Sequence, residues 1–137
     1  MKTPKVGVAI IIVKNGKVLL LKRKKSLGKE TWSTAGGRLE YEESIEECAI
    51  RETKEETGLT IKDVRFRAIT NDVFRKEGKH YITIWVEGKY IDGEPKLNAP
   101  NESSEIGWFA WEALPERLFM PFRNLLHGKH YPLQQEN

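Results

Sequence analysis

GGRLEYEESIEECAIRETKEETGL, Gly36 to Leu59, decides how the rest of the chain is read, because it marks both ends of one helix. Ser44-Ile45-Glu46-Glu47 is a capping box, in which the Ser44 side chain accepts from the Glu47 amide and Glu47 reaches back. Thr57-Gly58-Leu59 places a glycine where a left-handed stop is needed. The two signals predict a helix from about Ile45 to Thr57. Residues 40 to 56 carry eight glutamates against only Arg51 and Lys54, a net charge of −6. The whole chain is +3, so the remainder is +9.

Those glutamates are not all placed as surface charges. At 100° per residue from Ile45, Ala49 falls at about 40°, Cys48 at about 300° and Leu59 at about 320°, which defines an apolar stripe. Glu52 at about 340° and Glu56 at about 20° lie within it, and Glu55 at about 280° lies beside it. Glu46 and Glu47 suit a solvated, well-capped helix, since glutamate is a good helix former. Three carboxylates at i, i+3 and i+4 on the inward side do not: desolvated charges need a cation or take up protons. Arg51 lies one turn from Glu55, but one arginine cannot compensate three glutamates. A divalent ion can, and oxygen ligands without thiolate or imidazole favour Mg²⁺, with Mn²⁺ able to substitute. Gly36-Gly37 precedes this helix and lets backbone approach a ligand closely, a plausible floor for a phosphate–metal site.

Outward from the helix, Val6 to Val13 is apolar and β-branched, as expected of a central strand buried on both faces. Asn15-Gly16 signals a tight hairpin, with Val18 to Leu21 as the partner strand. Ile61 to Thr70, Tyr81 to Val86 and Ile106 to Ala110 read as strands. Residues 22 to 35 read as a loop that becomes extended near Trp32, and Asp92 to Ser104 as an exposed loop. Trp111 to Leu114 and Phe119 to Leu126 read as helical pieces. The expected architecture is a mixed α/β domain spanning residues 1–137.

The longest apolar run is too short to span a membrane and lacks a signal-peptide cleavage site. One cysteine, Cys48, excludes an internal disulfide framework and suits a reducing compartment such as the cytoplasm. His127 and His130 lack the partners of a zinc site. Lys22-Arg23-Lys24-Lys25 reads as a solvated strand end, which makes nucleic acid an unlikely partner.

Gly37, Glu43 and Arg51-Glu52-Thr53-Lys54-Glu55-Glu56-Thr57-Gly58-Leu59 resemble the Nudix box, G-x5-E-x7-R-E-U-x-E-E-x-G-U, where U is apolar. Thr53 departs from the aliphatic residue usual there, with a packing effect expected. Thr31-Trp32, the Glu46–Ala49 run, His80–Ile84 and Trp108–Pro115 resemble the small MutT-like nucleoside-triphosphate pyrophosphatases. The resemblance implies an α/β/α sandwich around a mixed sheet. It also implies Mg²⁺-dependent hydrolysis of a diphosphate linkage in a nucleotide, giving a monophosphate and pyrophosphate, with oxidised or modified dNTPs among the substrates.

By that resemblance Glu52, Glu55 and Glu56 hold metal, Glu43 is an accessory ligand and Arg51 orients the carboxylates. The base is Glu52 within the box or Glu105 outside it. Arg38 and Arg23 are expected at phosphate, and Phe74, Thr83 and Phe119 around the nucleobase, each with a structural role as the competing expectation. Trp32, Trp108 and Trp111 are expected to be structural. Relatives that cleave ADP-ribose typically carry a proline downstream of the box, where this chain has Val73, so that substrate and NADH are placed second. A non-catalytic nucleotide-binding domain is the other alternative. The resemblance also admits a homodimer.

Overall fold

The computed structural model describes residues 2–133. Eight strands form: β1 (Lys5–Ile11), β2 (Val13–Lys14), β3 (Lys17–Arg23), β4 (Trp32–Ser33), β5 (Ala35–Arg38), β6 (Ile61–Phe74), β7 (Lys79–Tyr90) and β8 (Ser103–Ala110). Two helices accompany them, α1 (Ile45–Thr57) and α2 (Met120–Leu126). One sheet has the order β5-β1-β7-β6 and is mixed, since β1 runs parallel to β7 while the other pairs are antiparallel. In the other sheet β3 pairs with β2, β4 and β8, all antiparallel.

The apolar run at the N-terminus does not make one strand. It breaks at Ile12, sending β1 to the centre of the first sheet and β2 to the second. The Asn15-Gly16 hairpin forms as expected, both residues at positive φ, but it joins β3 to the short β2. Burial holds from Val8 to Ile12, whereas Val6 and Val13 are exposed. Strand alternation then divides the run between two cores. Val8, Ile10 and Ile12 pack with Cys48 and Ala49 of α1, while Ala9 and Ile11 pack with Phe122 of α2. The sheets therefore lie between α1 and α2.

The cap signals hold in detail. Ser44 accepts from the Glu47 amide, Glu47 reciprocates, and Gly58 closes the helix in the left-handed region at φ 76°. The wheel is rotated from expectation. Ile45 is only half-buried, and the most buried positions are Cys48, Ala49, Thr53, Glu56 and Thr57. Thr53 is thus central to the interface rather than at its edge, and its hydroxyl is buried without a hydrogen-bond partner. Thr53→Val keeps the shape and removes an unmet polar group, so it should stabilise the protein by about 1 kcal/mol, measured by denaturant unfolding.

The hairpin β6–β7 extends beyond both expected strands, to Phe74 on one side and from Lys79 to Tyr90 on the other. Those added residues bring Phe74 and Lys79 to one cleft. Trp111–Ala113 is a single 3-10 turn, and the second expected helical piece begins at Met120, with Phe119 as its N-cap residue. Trp32 packs edge-on against Phe109 at 4.9 Å and Trp108 lies 6.0 Å from Tyr90, both as structural residues. The basic run is tied down: Lys22 pairs with Glu105, Lys25 with Glu102, and Lys24 donates to the Pro100 carbonyl.

Candidate active site

The two glycines before α1 are required by space rather than by dihedral freedom, since neither has positive φ. A Cβ on Gly36 would stand 2.7 Å from the Val8 carbonyl oxygen, where β5 pairs with β1. A Cβ on Gly37 would collide with the Glu52 carboxylate, so the missing side chain is the seat of that carboxylate. One residue earlier the Gly36 N–H donates to Glu56 Oε2 at 2.8 Å. The helix thus delivers two carboxyl groups onto the edge strand that the glycines leave open.

Arg51 organises the carboxylates. Its Nε and Nη2 donate to the two oxygens of Glu43 at 2.7 and 3.0 Å, and its Nη1 donates to Glu52 at 2.8 Å and Glu55 at 3.4 Å. The same guanidinium reaches the Arg38 carbonyl at 3.3 Å. This forked pairing holds the Glu43 carboxyl well below its usual range, at about 2, and raises the proton affinity of Arg51. Glu52 is shifted up, chiefly by burial, with Arg51 opposing.

Glu56 is 8% exposed, and burial pushes its carboxyl up to about 8 against the opposing Gly36 hydrogen bond. Its side chain makes no ion pair among the described residues. A carboxyl raised in this way keeps its proton near neutrality until a cation replaces it. Stability from the protonated form is fully present below the ordinary 4.5 and lost as pH rises through about 8. The melting temperature in chelator should therefore fall between those pH values, and a divalent cation should reduce the fall.

Glu52, Glu55 and Glu56 line a cleft of about 780 Å³ with Gly36, Gly37, Arg23, Arg38, Phe74, Thr83 and Phe119. The expected phosphate-contacting and base-contacting residues are thus brought to the same place as three of the box glutamates. Glu55 departs from expectation: it is exposed at the rim, with its side chain 57% accessible, because the helix is rotated. Glu43 stays outside the cleft wall and acts on it through Arg51. Glu105 also lies outside; it sits on β8 opposite Lys22 and pairs with that side chain at 3.1 Å. The glutamate of this region that reaches the cleft is Glu102, paired with Lys25 at 3.2 Å.

At the aromatic end Phe74 stacks on Phe119 with centroids 5.7 Å apart, and Tyr81 meets Phe74 edge-on. The Arg23 guanidinium lies 3.9 Å from the Phe119 centroid and donates to the Leu27 carbonyl, and burial lowers its proton affinity. Gly28, at φ 67°, leaves room for the Phe119 ring. Lys25, Lys79, Tyr81 and Glu102 escape the sequence reasoning, although Tyr81 is found by the strand period from Thr83.

Among the described residues, no three His, Cys, Asp or Glu side chains converge closely enough to enclose an ion by themselves. Mg²⁺ commonly takes one or two carboxylates and completes its shell with water and phosphate oxygens. Glu52 on the Gly37 seat and the uncompensated Glu56 fit that donor chemistry, with Glu55 available at the rim.

Residues 1–128 match the model of the NUDIX domain, and the chain belongs to that family. It is a Nudix hydrolase, a pyrophosphohydrolase, and enzymes of this family generally use divalent metal ions. Among relatives, it is 36% identical over 116 residues to an ADP-ribose pyrophosphatase of Methanocaldococcus jannaschii, covering 85% of this chain and 68% of that one. It is 31% identical over 118 residues to the oxidized purine nucleoside triphosphate hydrolase of Danio rerio, covering 84% and 72%. A NAD-capped RNA hydrolase NudC of Pseudomonas aeruginosa is 29% identical over 77% of this chain, which spans only 36% of that protein. The crystal structure of a MutT NUDIX hydrolase from Burkholderia pseudomallei superimposes with a TM-score of 0.87 at 28% identity, covering 92% and 98% of the two chains.

Proposed function

We propose that this protein is a Mg²⁺-dependent nucleoside triphosphate pyrophosphohydrolase that yields a nucleoside monophosphate and pyrophosphate. The observation that carries the proposal is the single cleft that joins the Glu52 and Glu56 carboxyls, the cations Arg23 and Arg38, and the Phe74–Phe119 stack. Bound there, a divalent ion would neutralise phosphate charge and lower the pKa of water. Glu52, Glu55 and Glu56 are the residues that would hold it. Arg51 keeps Glu52 oriented, Arg38 and Arg23 meet phosphate charge, and the aromatic pair offers a face to the base. Glu52, half-buried and with its proton affinity raised, is the proposed general base. The single cysteine, Cys48, can form no disulfide within the chain, which suits a reducing compartment, the cytoplasm.

A second substrate, ADP-ribose, is favoured by the Methanocaldococcus jannaschii relative, despite Val73 standing where ADP-ribose-cleaving relatives typically carry a proline. Both carry the diphosphate linkage that the cleft would bind. Incubation with Mg²⁺ and a panel of standard and oxidised nucleoside triphosphates, ADP-ribose and NADH, read by phosphorus NMR, separates them. Pyrophosphate with monophosphate from a triphosphate is the expected result. Turnover of ADP-ribose alone would favour the second substrate; orthophosphate from triphosphates, or no turnover at all, would overturn the proposal.

A further inference from the structure

The floor of the cleft carries a polar relay that the assignment above leaves unused. On the central sheet, Thr70 of β6, Thr83 of β7, Gly7 of β1 and Arg38 of β5 occupy one row. Adjacent strands are about 5 Å apart, so Thr83 lies roughly 10 Å from the edge strand that seats the carboxylates. Beneath it is Asp72, fully buried. The Thr70 and Thr83 hydroxyls donate to Asp72 Oδ2 at 2.9 and 2.7 Å, and the Asn124 amide donates to Oδ1 at 3.0 Å. The Trp85 indole N–H donates in turn to Thr70 Oγ1 at 2.9 Å.

This arrangement fixes the direction of every proton in the relay. An indole N–H can only donate, so Thr70 accepts from Trp85 and its own proton turns to Asp72. A hydroxyl has one proton, and that of Thr83 is likewise committed to the carboxylate. Thr83 lines the cleft, and its oxygen lies beside Gly7, whose missing side chain leaves the approach open. Only lone pairs remain to be offered to a ligand.

We infer that Thr83 is a specificity-determining residue that accepts a hydrogen bond from the bound base and cannot give one. The inference rests on the nucleotide assignment of the cleft and adds the polarity by which it chooses among bases. A base presenting an N–H at this point is accepted, whereas one presenting a carbonyl oxygen or bare ring nitrogen meets a second acceptor. Buried polar sites reject a ligand that leaves their partner atoms unmet far more strongly than apolar sites reject a small change of size. Asp72 is the positioning residue that imposes this polarity through Thr83.

The test compares triphosphates in which one member carries a donor the other lacks: adenosine against purine riboside, cytidine against pyrimidin-2-one riboside, each missing only the amino group, and 8-oxo-deoxyguanosine, which gains N7–H together with its 8-oxo group, against deoxyguanosine. Rates and binding are both measured, the latter by titration calorimetry in Ca²⁺. In at least one pair the donor-bearing member should be favoured about tenfold in kcat/KM by the wild-type protein, an arm that needs no variant. Thr83→Val should bring that ratio to near unity and Thr83→Ser should retain it, a split that loss of packing alone would not produce. Asp72→Asn should lower the ratio as well. Equal rates within every pair, or a ratio unchanged in Thr83→Val, would overturn the inference while leaving the proposed function standing. Failure to bind or cleave any triphosphate would overturn both.

Discussion

Glu56→Gln should lower kcat/KM by roughly two to three orders of magnitude, the scale of removing one charged group aimed at a reacting centre. The apoprotein should be no less stable, and the reason is local. Near neutrality the wild-type Glu56 carboxyl, raised to about 8 by burial, is already protonated without a cation. A glutamine is neutral in the same way, and its carbonyl can accept the Gly36 N–H in place of Glu56 Oε2. What is lost is the ability to become an anion when a divalent ion arrives. The fall in apoprotein melting temperature between pH 4.5 and 8 should also diminish in this variant. Glu55→Gln, at the exposed rim, should lose most activity with no change in stability. Near-normal rates in both variants would remove the metal assignment.

Arg51→Lys should reduce activity about 10- to 100-fold, as expected when a residue that orients ligands is replaced. A lysine keeps the charge but not the fork. It cannot meet both Glu43 oxygens and Glu52 together, as the guanidinium does at 2.7, 3.0 and 2.8 Å. Glu52 would then be free to leave its seat on Gly37. The melting temperature should fall as well, because Glu43 is only 11% accessible and loses its principal partner. The effects of Arg51→Lys and Glu43→Gln should be strongly non-additive in a double-mutant cycle, since both break the same fork. Additive losses of activity and stability would show that Arg51 acts independently of Glu43.

The helix and its two ends were legible because capping is local: Ser44, Glu47 and Gly58 act within a few residues of one another. The inward glutamates were legible because a charge on an apolar stripe breaks a period. The rotation of α1 was not, since it depends on which side chains fit against β1 and β5, and Thr53 proved more central than Ile45. The split at Ile12 was hidden for a similar reason, because an apolar run records burial but not which sheet receives it. Glu105 and Glu102 show the same limit: three residues apart, Glu105 is set opposite Lys22 by the β8 register, while Glu102, in the turn before β8, reaches the cleft. The relay behind Thr83 joins β6, β7 and α2, so only the assembled fold brings its members together.

The central claim, that the box carboxylates hold a divalent ion together with a nucleotide, is tested most directly by Mn²⁺ binding. Electron paramagnetic resonance can count free Mn²⁺ as protein is added, with and without a non-hydrolysable triphosphate analogue. The wild-type protein should bind Mn²⁺ more tightly when the analogue is present, as two carboxylates completed by phosphate oxygens require. Glu56→Gln should lose most of that gain. Equal Mn²⁺ affinity in the two proteins, with the analogue bound in both, would contradict the account.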